Sequence, residues 1–211
     1  IKENLKHFLS TQGKISTAIK SYNNYLGVLI SLINMDLDTR FAIFEIGTSN
    51  FKEIKKLSAL VMPHQVIITN IFPTHLTNFK TTRNVALEKS DLFNPQFNPS
   101  IELLILPNSN EDEDYLNKLS KKYKINSVIT FGRNNESHYC LQNIKLINNF
   151  LSKIKIKTPD ELIEFQVSTS FEHQIFNIII SLIILTYNKL SINNFVNKAL
   201  NISFAEGRGR F

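Results

Sequence analysis

The sequence predicts an α/β fold: a mostly parallel sheet flanked by helices, with a small antiparallel sub-sheet attached. Three observations predict it. Short apolar runs, of the kind found in strands covered on both faces, recur at 41–46, 66–71, 102–106 and 127–131. Stretches with helical spacing separate them, as a parallel sheet requires of its crossovers. After residue 138 the alternation stops, and three Ile-, Leu- and Phe-rich runs follow with no helix between them.

Each element has its own signal. Residues 3–12 predict a helix, with Gly13 as its C-terminal cap. Residues 14–19 predict a short strand, and 25–35 repeat apolar residues at helical spacing. A strand at 41–46 and a helix at 51–60 follow, then a strand at 66–71. The helix at 82–93 has Thr81 or Thr82 as N-cap. A strand at 102–106 leads to a helix at 111–123, with acids in its first turn and lysines in its last, matching the helix dipole. A strand at 127–131 ends this part. The runs at 140–146, 150–157 and 162–167 predict the antiparallel sub-sheet within 138–168. Helices at 172–188 and 191–200 follow. The last residues, 207–211, resemble a basic linker at a domain boundary.

Bulk properties bound the function. The chain has 211 residues and a net charge of +6, long enough for one core. The lysines are spread along the chain, and no segment interleaves aromatics with arginine, so no nucleic-acid partner is expected. Cys140 is the only cysteine; an intrachain disulfide is excluded, and a reducing cytoplasm fits. The most apolar run, 175–187, is interrupted by Asn177 and Ser181 and falls short of the ~20 residues of a membrane helix. It predicts a buried core helix, and no membrane insertion is expected.

Ligands of parallel sheets bind beyond the carboxyl ends of the strands. Glu45, Asn70, His75 and Asn108 all fall at or just past such ends. Glu45 follows four apolar residues; a carboxylate there either projects into a cleft or is solvated at the strand tip. His75 is a loop histidine, structural or metal-binding. Mg²⁺ accepts few protein ligands when phosphates supply the rest. Lys89 lies mid-helix, where a solvated face is the ordinary reading; buried and with a depressed pKa, it could take up CO₂ as a carbamate. Asn23 and Asn24 precede a helix, as a cap or an anion contact. His173 and Asn177, four apart, share a helical face. No G-x-x-x-x-G-K-[ST] segment occurs in the chain.

Together these residues resemble one family, the central ATP-binding domain of the Mur ligases, and within it the type that adds D-alanyl-D-alanine. Ser21-Tyr-Asn-Asn-Tyr-Leu-Gly27 resembles its Asn-Asn-x-x-Gly segment. Glu45-Ile-Gly47 with Glu53-Ile54 resembles its Glu-x-Gly…Glu-Ile stretch. Thr69-Asn-Ile71, His75, Phe79 and Ala86-x-x-Lys89 resemble its metal and carbamylated-lysine segment. His173 and Asn177, then Gly207-Arg208, resemble its adenine-side helix and its hinge to a last domain. Ile1-Lys-Glu-Asn resembles the residues just after its phosphate loop. Lys52 stands where the family commonly has glycine, and Leu29 where it has proline.

The resemblance implies a P-loop NTPase-like domain over 1–206, lacking its phosphate loop, and a hinge at 207–211. It implies a fragment of an ATP- and Mg²⁺-dependent amide ligase joining D-Ala-D-Ala to UDP-N-acetylmuramoyl-tripeptide in peptidoglycan synthesis. The full-length enzyme would be monomeric and cytoplasmic, and this chain alone inactive. Glu45 and His75 would hold Mg²⁺, with Lys89, as carbamate, supporting a second ion; Lys89 and His75 would serve catalysis. His173, Asn177, Arg208 and Asn70 would bind the nucleotide, and Asn23 and Asn24 the substrate. The alternatives are another ligase of the Mur or folylpolyglutamate type, or a degenerate nucleotide- or protein-binding module.

Overall fold

A computed structural model describes residues 1–18, 22–192 and 194–202. In chain order the elements are α1 (Lys2–Leu9), β1 (Ile15–Thr17), α2 (Tyr25–Ile33), β2 (Phe41–Ile43), α3 (Glu53–Val61) and β3 (Gln65–Ile67). Next come α4 (Leu76–Phe79), α5 (Thr82–Ser90), a 3-10 turn (Asp91–Phe93), β4 (Leu103–Pro107), α6 (Glu111–Lys122) and β5 (Val128–Gly132). The chain then forms β6 (Tyr139–Asn148), β7 (Leu151–Lys157), β8 (Leu162–Val167), α7 (Glu172–Tyr187) and α8 (Phe195–Leu200). The predicted α/β alternation and the antiparallel end are both present. The chain divides into two compact units, one of Thr17–Asp36 and Ile43–Thr130, the other of Ile1–Ser16, Leu37–Ala42 and the described residues from Phe131 on.

In the first unit β3 and β4 pair in parallel, with Val66 opposite Leu104 and Ile67 opposite Ile105. All five residues of β4 are buried, as a strand sandwiched between helices must be. Val66, Ile68, Leu104 and Leu106 meet Ala86, Phe93, Leu116 and Leu119 in one apolar cluster. That cluster seats α5 and α6, the helices carrying Lys89 and Glu113. Thr81 caps α5, its hydroxyl accepting from Asn84 N, and Asn110 caps α6 through Glu113 N. Both side chains accept a first-turn N–H that has no partner inside its helix.

In the second unit the end of β5 pairs in parallel with β6, Phe131 opposite Tyr139. β6, β7 and β8 are antiparallel, with Ile154 between Ile144 and Phe165. Helix α7 carries ten buried residues, Ile175, Ile178, Ile179 and Ile183 fully so. It is the predicted core helix, and no helix among the described residues is long and apolar enough to cross a membrane. Phe195 stacks on Phe8 at 4.6 Å and meets Phe165 edge-on, tying α8 to α1 and β8.

Several expectations need correction. Gly13 does not cap α1, which ends at Leu9. The Lys198 ammonium does that work, donating to Phe8 O at 3.0 Å and His7 O at 3.4 Å. Gly13 instead adopts φ +149°, and a Cβ there would lie 2.5 Å from Arg40 Cδ. The run at 41–46 yields a three-residue strand, partly exposed rather than covered on both faces. Among the described residues it pairs with the equally short β1. The strand at 66–71 ends at Ile67, and a short helix unforeseen in the sequence, α4, follows His75. Ile19 and the expected hinge at 207–211, with Arg208, lie outside the described residues.

Candidate functional site

The first unit holds a cavity of about 1010 Å³. Its polar side carries Asn23, Asn24, Thr48, Ser49, Glu53 and His75; Tyr25, Leu26, Leu57 and Leu60 form its apolar wall. Asn23 Nδ2 donates to Glu45 Oε1 at 3.3 Å, and Gly47 N donates to Asn23 O at 2.9 Å. The segment before α2 is thereby joined to the loop after β2. Gly47 is small for a reason: a Cβ there would lie 2.8 Å from Asn23 Cγ and Nδ2. Asn24 is the N-cap of α2, its side chain accepting from Gly27 N at 2.9 Å.

Gly27 lets α2 start against Tyr22. A Cβ would sit 2.6 Å from Tyr22 Cβ and 2.9 Å from Tyr22 O. Backbone cannot yield as a side-chain tip can. Gly27→Ala is therefore expected to cost about 1–3 kcal/mol, the usual range for overpacking, read as a lower urea midpoint at unchanged slope.

Two carboxylates organise the loop 48–52. Glu53 Oε2 accepts from Ser49 N at 2.7 Å and Asn50 N at 3.0 Å, and Oε1 accepts from Asn50 Nδ2 at 3.0 Å. The Asn50 side chain, with these backbone donors, holds the Glu53 carboxyl at about 2 against an ordinary 4.5. A depressed carboxyl stabilises the fold above its unfolded value and loses that contribution as pH falls. Its share is thus present above pH 4.5 and gone near pH 2. Glu53→Gln is expected to flatten that part of the stability profile, measured by denaturant melts across the acid range.

Glu88 is 3% exposed. It accepts from Lys52 N at 2.8 Å, Ile54 N at 2.9 Å and the Thr48 hydroxyl at 3.4 Å. From the other side, Asn78 Nδ2 on α4 donates to Ser49 O at 2.8 Å and Asn50 Oδ1 at 3.0 Å. His75 is the N-cap of α4, with φ +52°; its side chain is exposed toward the cavity, and its carbonyl accepts from Asn78 N and Phe79 N.

Lys89 is mostly buried on α5, and its Nζ donates to Asn70 O at 2.8 Å. Asn70 thus takes part through its carbonyl. Burial lowers the Lys89 pKa from the ordinary lysine range, and the nearby charge of Glu113 opposes that shift. Glu113 is 4% exposed. Burial raises its pKa, opposed by hydrogen bonds from the Ser109 and Ile71 N–H groups. Lys89 is thus an amine inside the protein and short of solvent.

The donor set fits a hard divalent cation at Glu45 and His75. Glu45 has acceptor capacity beyond the Asn23 contact, and His75 opens to the cavity Asn23 lines. Among the described residues no three of His, Cys, Asp and Glu gather as a closed metal cage, so an ion would need oxygens from a ligand. Lys89 as an ammonium does not fit such a site; only after losing its proton and gaining an acid group would it.

In the second unit, His173 and Asn177 share one face of α7. His173 is exposed, its ring 5.8 Å from that of Phe171. Sequence reasoning missed Glu88, Glu113 and Asn78. The acids of α6 read as matching the helix dipole, and Glu88 stands mid-helix beside Lys89 with no spacing that marks it.

Comparison with known proteins supplies the family. The Mur ligase middle domain matches residues 1–185. A UDP-N-acetylmuramoyl-tripeptide--D-alanyl-D-alanine ligase from Buchnera aphidicola is 28% identical over 84% of this chain, which spans only 37% of that relative's length. A crystal structure of MurF from Acinetobacter baumannii superposes with a TM-score of 0.84 at 21% identity, over 98% of this chain and 44% of that one. MurF from Thermotoga maritima in complex with ADP gives 0.82 at 18% identity, over 98% of this chain and 46% of that one. At these identities the superpositions speak for the fold.

Proposed function

The chain belongs to the Mur ligase family, and from that premise we propose that it is the central domain of a ligase joining D-Ala-D-Ala to UDP-N-acetylmuramoyl-tripeptide at the expense of ATP. In that reaction the terminal phosphoryl group of ATP passes to the tripeptide carboxylate. The dipeptide amine attacks the acyl phosphate, and the tetrahedral adduct expels phosphate to leave an amide. The observation that carries the reading is the convergence of Asn23, the Glu45 loop and His75 on one cavity.

Each residue has a task under this reading. Asn23 orients Glu45, and with Asn24 it offers amide groups to the peptide carboxylate. Glu45 and His75 would hold Mg²⁺, which supplies charge neutralisation for the phosphates when bound. Lys89, buried and poor in solvent, is the amine to be carbamylated. Asn70 fixes its end, and Glu113 balances its charge. His173 and Asn177 would face adenine, and Arg208 the nucleotide. Phosphoryl transfer works chiefly by positioning and charge stabilisation, which these groups suit. A single, buried thiol fits a reducing cytoplasm, and the full-length protein is taken as a monomer.

The test is phosphate release by the full-length gene product with ATP, Mg²⁺ and the tripeptide, with and without D-Ala-D-Ala. Release that depends on the dipeptide, with the pentapeptide product detected by mass, supports the ligase. A folded full-length protein that releases none refutes it. The 211-residue chain, which has no phosphate-loop motif, is expected to be inactive by itself.

A further inference from the structure

Glu88 plays no part in the reaction above, yet it is among the most buried acids of the described chain, at 3% exposure. Its carboxylate accepts from both Lys52 N and Ile54 N and from the Thr48 hydroxyl. Lys52 precedes α3 with φ +71° and no side-chain cap of its own. That backbone conformation favours glycine and is strained for a lysine. A carboxylate at this helix start satisfies an N–H that has no partner inside the helix and meets the positive end of the helix dipole.

The contacts continue outward. Thr48, Ser49 and Glu53 line the cavity. Ser49 O and Asn50 Oδ1 receive Asn78 Nδ2 from the turn that begins at His75. Glu88 also adjoins Lys89 in the chain, so one helix, α5, presents the buried amine and grips the loop across from it.

We propose that Glu88 is a positioning residue: it holds the 48–52 loop, and through Asn78 the His75 turn, in register with the Lys89 helix. It touches no substrate. It also explains how a lysine is tolerated at position 52, since its hydrogen bond holds the left-handed backbone a glycine would adopt unaided. The catalytic part of this inference rests on the ligase reading.

The experiment compares Glu88→Ala, Glu88→Gln, Lys52→Gly and the Glu88→Ala/Lys52→Gly pair. Amide hydrogen exchange in the 211-residue chain reads the brace without any activity. Glu88→Ala is expected to speed exchange at Lys52, Ile54 and Asn78 by about tenfold, and Glu88→Gln by less. In the full-length protein, Glu88→Ala is expected to raise the KM for the tripeptide and the Mg²⁺ needed for half-maximal rate severalfold. Lys52→Gly in the same protein should return part of that loss. Unchanged exchange at Asn78 would overturn the proposal. So would a lower melting temperature with unaltered KM and Mg²⁺ requirement, since that marks a purely structural acid. A wild-type enzyme without dipeptide-dependent turnover would fail the ligase reading instead, and the exchange data would still decide whether the brace exists.

Discussion

Replacing Lys89 with alanine in the full-length enzyme is expected to lower kcat by about 10²–10³-fold, the scale of losing one charge-stabilising group in a site. Added formate or acetate is expected to restore part of it. The reasoning starts from burial. A lysine in this position pays for desolvation, and its pKa falls from 10.5, so the neutral amine that reacts with CO₂ is available at lower pH than for a surface lysine. Under the proposed reading the carbamate would be an acid on a lysine stem, and a small free carboxylate in the vacated space could stand in for it. Lys89→Met separates this role from packing: it fills the space and keeps the stem but has no amine. Equal loss in both variants, with rescue greater in alanine where room is left, identifies the lost function as chemical. Loss without rescue in either variant would point to the ammonium itself, through its bonds to Asn70 O and the charge of Glu113.

The alternation of buried strands and helices was readable because both patterns are local. The run at 102–106 gives a strand whose five residues are all buried, and the three runs after 138 give the antiparallel strands. Strands of three residues were read too long. At 41–46 and 66–71 the apolar residues continue past the end of the strand as the chain leaves the sheet. Glu45 and Asn70 lie in those departures, so the segments misread as strand are the ones that carry two of the proposed site residues. Gly13 was misread because its partner is remote: Lys198, far along the chain, closes α1. Glu88 was invisible for the same reason: its carboxylate accepts from Lys52 N and Ile54 N, far back in the chain, and no spacing within α5 announces that. Glu113 is a local case: it stands three residues after the Asn110 cap and its carboxylate reaches back to Ser109 N. His75 and Lys89 were identified by resemblance; the spacing alone left both with ordinary structural readings.

Phe93→Ala is expected to be the most destabilising single change in the first unit, at about 3–5 kcal/mol. Phe93 is fully buried at the end of the 3-10 turn that closes α5, within the cluster formed with Val66, Leu104, Leu106, Leu116 and Leu119. Its ring meets Tyr123 edge-on at 5.9 Å, so truncation removes both apolar area and a ring contact. The cluster fills the space between the sheet and the two helices that carry Lys89 and Glu113, and neighbours anchored in β4 cannot collapse into the hole without moving a strand buried on both sides. Phe93→Leu, which keeps most of the volume, is expected to lose markedly less. Urea melts of both variants at unchanged slope decide the matter. A small loss for Phe93→Ala would mean that α5 can slide to fill the gap, and Lys89 Nζ should then leave Asn70 O. Because Phe93 closes the helix that carries Lys89, packing here fixes the position of that amine, and under the proposed reading a softened core is expected to reduce turnover even in the fraction that stays folded.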